Sequence, residues 1–196
     1  DDIKPEGNLY GVVVTKGAIY VTCNGDDAKG WIARSVIDGT KLGNLDRFIA
    51  TKEAVEVDAP VALTVDKAGN LVVGQMGEID KPKDALLTFY NAKTGKKILN
   101  LETGLYDLTG VAYSPKTGLL YATDFAWMEA KDGGLFRLDA DLKGGEQALK
   151  TLKIAPLEKP TAMAFAPDGT LYITVIGTAK DDGSKVGSLL KIAPGL

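Results

Sequence analysis

The sequence predicts an all-β chain, a β-propeller with four recognisable four-stranded blades, and three observations predict it. A unit of about fifty residues recurs four times, and each copy sets two apolar stretches on either side of a glycine-bearing turn. The stretches are also nearly continuous, where a sheet with one wet face would alternate apolar and polar residues.

The paired stretches run over 10–22, 61–74, 109–123 and 161–174. Their turn glycines, Gly17, Gly69, Gly118 and Gly169, are separated by 52, 49 and 51 residues. Third strands are expected near Trp31–Ile37, Ala85–Tyr90, Leu135–Leu138 and Ser188–Ile192. The first three end in Asn, Asp and Gly, the residues that close turns. Fourth strands follow near Arg47–Thr51, Ile98–Thr103 and Leu149–Ile154. Four strands in about fifty residues is the size of one blade. The chain therefore reads as a single domain over 1–196, with repeats at about 8–54, 55–105, 106–157 and 158–196.

Val12-Val13-Val14, Leu71-Val72-Val73 and Leu119-Leu120-Tyr121-Ala122 are the continuous runs, and sheets packed on both faces account for them. Helix is the local competitor over Leu45–Val57 and Gly145–Leu152, which hold good helix formers. Their place in the repeat argues for outer strands, and strand is expected in both. The fourth repeat stops after its third strand. Either four blades close poorly or the chain is part of a larger, six-bladed ring, and the second is expected.

Composition removes several function classes. The 23 basic residues are mixed with 26 acidic ones, and a net charge of −3 gives no footprint for a phosphate backbone. No run of eighteen apolar residues occurs to span a membrane. One cysteine, Cys23, excludes an internal disulfide. Histidine is absent, which removes Ser-His-Asp and Cys-His chemistry and imidazole-bound zinc. Gly-x-Ser-x-Gly and phosphate-loop motifs are missing as well. A first residue of Asp1 suggests an exported, processed protein, so a periplasmic or secreted location is expected.

The turn Pro167-Asp168-Gly169-Thr170 followed by Leu171-Tyr172-Ile173-Thr174 resembles blades of six-bladed propellers in the NHL-repeat, strictosidine-synthase-like and SMP-30/gluconolactonase-like groups. The resemblance covers nearly the whole chain and implies a blade architecture, leaving function open. In the gluconolactonase-like group it implies a divalent cation held by Glu, Asn and Asp at the starts of the innermost strands. The equivalent positions here are Tyr10, Val61, Thr109 and Thr161, and none is a carboxylate or amide. The metal does not carry over.

Two candidate sites remain. Glu6, Asp58, Asp107 and Glu158 lie just upstream of the four inner strands, and a convergent acidic rim would hold Ca²⁺. Solvated loop carboxylates are the plainer reading. Phe125, Trp127 and Met128 gather in the loop after the third repeat's second strand, where an exposed aromatic cluster would anchor a partner. A plug packed over the neighbouring blade is the plainer reading there. Acidic, glycine-rich loops at Asn24–Gly30 and Lys180–Ser184 lack calcium-loop spacing, and Cys23 has no histidine to activate it. The functional expectation is a non-catalytic scaffold that binds a small ligand, a peptide or a partner protein. A metal-dependent lactonase or ester hydrolase, and a structural subunit of an oligomer or split ring, are its rivals.

Overall fold

The computed structural model describes residues 8–25, 29–57, 59–178, 183–184 and 186–196. Four antiparallel sheets follow one another along the chain as the four blades of a β-propeller. Blade 1 holds β1 (Leu9–Val14), β2 (Ala18–Cys23), β3 (Trp31–Asp38), β4 (Lys41–Leu42) and β5 (Asp46–Ala50), and α1 (Thr51–Val55) follows it. Blade 2 holds β6 (Pro60–Val65), β7 (Leu71–Gln75), β8 (Leu86–Tyr90) and β9 (Lys97–Glu102). Blade 3 holds β10 (Leu108–Tyr113), β11 (Leu120–Asp124), β12 (Gly134–Lys143) and β13 (Glu146–Pro156). Blade 4 holds β14 (Pro160–Phe165), β15 (Leu171–Val175) and β16 (Ser188–Ile192).

The strands pair in chain order, with the innermost strand of each blade against that of the next. Every blade has two distinct faces. On each second strand, alternate residues face forward to the next blade or backward to the previous one. Tyr20 faces forward and packs with the backward-facing Leu71 and Val73 of blade 2. Val72 faces forward onto Leu120 and Ala122 of blade 3, and Tyr121 onto Leu171 and Ile173 of blade 4. Three cores thus lie between consecutive sheets, which is why the apolar runs do not alternate.

Threonine hydroxyls tie the same interfaces near the axis. Thr22 Oγ1 donates to the Val61 carbonyl at 2.8 Å, and Thr109 Oγ1 to the Pro160 carbonyl at 2.7 Å. The inner strands approach so closely that a Cβ on Gly110 would lie 2.6 Å from Thr123 Oγ1 and 2.8 Å from Met163 Cγ, with Met163's own amide nitrogen at 3.2 Å. Gly110→Ala is expected to destabilise the fold by about 1–3 kcal/mol through overpacking, read as a lower urea midpoint at unchanged slope.

Two expectations need correction. Thr51–Val55 is one turn of helix, so the outer strand of blade 1 stops at Ala50. Glu56 ends that turn in the left-handed region at φ 65°, with its N–H bonded to the Lys52 carbonyl. The run 12–14 is not covered on both faces, because no described blade precedes β1: Val12 is 62% exposed and Val14 64%. Over 145–152 strand prevails, and β12 and β13 form a long hairpin.

Candidate functional site

Each blade repeats one backbone device at the end where loops feed the inner strand. The residue after the second strand donates its N–H to a carbonyl just before the first strand: Asn24 to Asn8, Met76 to Ala59, Phe125 to Asp107 and Ile176 to Lys159. The next residue turns back with positive φ. It is Gly25 at 69°, Gly77 at 77° and Gly177 at 66°, but in blade 3 it is Ala126 at 48°. Left-handed backbone costs a residue with a Cβ about 1–2 kcal/mol, so something must hold this turn in place.

Two buried carboxylates hold it. Asp124, the last residue of β11, is fully buried. Its Oδ1 accepts the Asp107 N–H at 2.8 Å and the Ala126 N–H at 3.1 Å, and its Oδ2 accepts the Tyr106 N–H at 3.1 Å. Asp107 is 3% exposed, and its Oδ2 accepts the Trp127 N–H at 2.6 Å. Burial pushes the Asp107 carboxyl up to about 6, with Asp124 and Asp84 nearby adding to the rise and the Trp127 N–H opposing it. Burial raises Asp124 too, outweighing its three amide donors.

The loop held in this way presents Trp127, 49% exposed, and Met128, 67% exposed. Phe125 lies beneath, buried, its ring stacked on Trp127 at 5.2 Å between centroids. Lys159 of blade 4 places its ammonium 5.6 Å from both ring centroids, a cation–π contact across the blade boundary. Phe125 is thus a support, and the exposed surface belongs to Trp127 and Met128. An apolar side chain this large on a turn fixed by backbone bonds is a pre-organised contact surface, with little ordering entropy left to lose on binding.

The proposed acidic rim looks different in place. Glu6 and Asp58 lie outside the described residues, as do 26–28 and 180–182 of the two glycine-rich loops. Asp107 turns inward to the Trp127 amide, whereas Glu158 Oε2 accepts the Thr178 N–H at 3.4 Å. Trp127 and Thr178 each stand three residues beyond the end of the second strand, so the two acids serve the same loop position. They do so from different registers: Asp107 directly precedes β10, and Glu158 stands one residue further from β14. Among the described residues no group of three or more His, Cys, Asp or Glu side chains is placed to share a metal ion.

The inner-strand positions are occupied by other chemistry. Thr109 Oγ1 lies 3.1 Å from Thr123 Oγ1 and bonds the Pro160 carbonyl, and Thr161 pairs with Thr174 at 2.8 Å. Cys23 is buried within blade 1, and burial raises its thiol pKa, away from the reactive thiolate. Gln75, the residue of blade 2 equivalent to Asp124, accepts the Thr88 hydroxyl and donates to the Val57 carbonyl.

No protein-family model matches this chain, and no curated protein matches it. Solved structures do match. A chain of a nidogen/laminin complex aligns over 95% of this chain and 61% of its own length, at 16% identity and a TM-score of 0.61. A periplasmic gluconolactonase of Pseudomonas aeruginosa aligns over 96% of this chain and 58% of its own, at 15% identity and a TM-score of 0.55. An α-L-arabinofuranosidase of Clostridium thermocellum aligns over 99% and 72%, at 14% identity and a TM-score of 0.58. The chain spans about three fifths of the length of the first two. At these identities the likeness is one of fold. The chain has the β-propeller fold, and its structural neighbours include gluconolactonase-type propellers.

Proposed function

We propose that this propeller is a binding module whose contact surface is the blade 3 loop, and that its ligand is a peptide or partner protein. The observation that carries the reading is the pairing of exposure with support: Trp127 and Met128 stand out from a turn that two buried carboxylates hold in a left-handed conformation. Large apolar side chains on rigid backbone are what interface centres are made of. The inner-strand threonines bond one another and a neighbouring carbonyl, an arrangement suited to cohesion between blades more than to a cation.

The test uses a property of the chain itself. It has two tryptophans, and Trp31 is buried, so ligand-dependent changes in acrylamide-accessible fluorescence report on Trp127. Titration with a peptide panel is expected to give saturable shielding, and isothermal titration calorimetry, which needs no tryptophan reporter, is expected to show Trp127→Ala with Met128→Ala weakening the binding at least tenfold with the melting temperature little changed. Equal affinity in the double variant would overturn the proposal.

A second reading, a lactonase or ester hydrolase, is favoured by one observation: Asp107 carries a carboxyl whose raised pKa suits a proton donor near neutral pH. Lactone hydrolysis that is dependent on Ca²⁺ and lost in Asp107→Asn would replace the first reading with this one. The expected location outside the cytoplasm is part of the proposal, and fractionation of the source cells tests it.

A further inference from the structure

The internal repeat places the forward-facing residues of the second strands in columns. One column, aligned from the strand ends, reads Tyr20, Val72, Tyr121 and Tyr172. Their partners on the third strands are Arg34, Phe89, Arg137 and Lys191. Three blades therefore join a tyrosine to a cation, and blade 2 joins a valine to a phenylalanine.

The tyrosine has a definite task where it meets the next blade. Tyr20 is buried, its ring lies 5.9 Å from that of Phe48, and its hydroxyl donates to the Ala92 carbonyl of blade 2 at 2.7 Å. Tyr121 is buried and meets the Phe165 ring of blade 4 edge-on at 5.7 Å. Between blades 2 and 3 the counterpart of Phe165 is Tyr113, since each pairs with the first residue of its second strand. The counterpart of Ala92 is Ala140, because each stands three residues beyond the partner of the column residue. A ring and a carbonyl are thus in place there, and Val72 brings neither a ring nor a hydroxyl to meet them.

Outward of Val72, between the two blades, lies a cleft of about 990 Å³, at the upper end of the range of small-molecule sites, about 300–1,000 Å³. Phe89 and Leu99 of blade 2 line one side, and Tyr113, Leu120, Ala140 and Leu142 of blade 3 the other. The blade 3 wall runs on past the end of β11, which starts opposite Leu138. Along that overhang Leu138, Ala140 and Leu142 alternate with Asp139, Asp141 and Lys143, so one side of the hairpin is apolar and the other charged. The only cation of the lining, Arg137, is held by Asp139 at 2.7 Å, which leaves nothing to take an anion. Apolar space of this kind, short of one side chain, accepts an uncharged aromatic ring.

We infer that the cleft between blades 2 and 3 binds a small uncharged aromatic of the phenol class. Its ring sits against Tyr113 and its hydroxyl is directed to the Ala140 carbonyl, as the protein's own tyrosine is placed between blades 1 and 2. The cleft opens beside Gly118 and Leu119, at the other end of the strands from the Trp127 loop, so the inference is independent of what that loop binds.

The probe is p-cresol, the tyrosine side chain as a free molecule, titrated into the whole chain and followed by amide-resolved NMR. Saturable shifts are expected at Phe89, Leu120 and Ala140. p-Toluate, which sets a carboxylate in place of the hydroxyl, is expected to bind at least tenfold more weakly. Val72→Tyr supplies the ring covalently and is expected to weaken p-cresol binding at least tenfold. Where that side chain overpacks the interface, Ala140→Trp fills the cleft from the exposed hairpin, with the same loss expected. Circular dichroism and melting identify which variants are folded. Absence of saturable shifts, shifts centred away from the cleft, equal affinity for p-toluate, or unchanged affinity in a folded variant overturns the inference.

Discussion

Asp124→Ala is expected to cost about 3–5 kcal/mol of folding stability and to release the Trp127 loop with it. The carboxylate accepts three backbone N–H groups, from Tyr106, Asp107 and Ala126, in a place closed to water. Alanine offers none of them an acceptor, and each amide left unpaired in the interior costs about 1–3 kcal/mol unless the loop opens to hydrate it. Opening also frees Ala126 from its left-handed conformation, so the turn has no reason to re-form. Asn keeps one acceptor oxygen and fits the same space, so Asp124→Asn is expected to lose less than Ala. Urea denaturation of the two variants checks the order. Acrylamide quenching of Trp127 separates loop release from a general loss of stability.

The second large effect is on pH. Asp107 has its pKa raised to about 6 from an ordinary 3.8, mainly by burial. The folded chain therefore holds this proton more tightly than the unfolded chain does. Between those two values the native state binds more protons, so unfolding free energy falls as pH rises. The contribution is fully present below about pH 4 and lost as pH passes through about 6, an amount of about 2–3 kcal/mol. Asp124 and Asp84 are shifted in the same direction, both by burial, and add to the slope. Chemical denaturation at pH 4.5 and pH 7.5 is expected to show the wild type more stable at the lower value. Asp107→Asn is expected to flatten the difference, and an unchanged slope in that variant would remove Asp107 as its source.

The architecture was legible because it is written in residues that act locally. Gly69, Gly118 and Gly169 take positive φ in the turns, and the uninterrupted apolar runs report burial on two sides, so spacing alone gave the blades. Thr51–Val55 escaped because the preference of five residues is weak beside their place in the repeat. The behaviour of the carboxylates was hidden for a different reason. Whether Asp107 faces solvent or an amide depends on the one-residue register by which it precedes β10, and on where the Trp127 N–H points, and no composition or motif carries either. One signal was present. Aligning the residues after each second strand sets Ala126 against Gly25, Gly77 and Gly177, and Asp124 against Cys23, Gln75 and Val175. An alanine in a glycine column, two residues after an acid, marks a turn that needs outside support.

The packing between consecutive described sheets falls into three separate layers, which has a consequence for how the molecule comes apart. With no common centre holding all four sheets, cohesion is a nearest-neighbour property, as in solenoid proteins. Among the described residues blades 2 and 3 are clasped by a sheet on each side and blades 1 and 4 by one, with a cluster of Cys23, Trp31 and Ala33 adding packing on the other face of blade 1. Opening of these layers thus begins at blades 1 and 4 and travels inward. Whatever covers the outermost sheets therefore raises the robustness of every layer behind them.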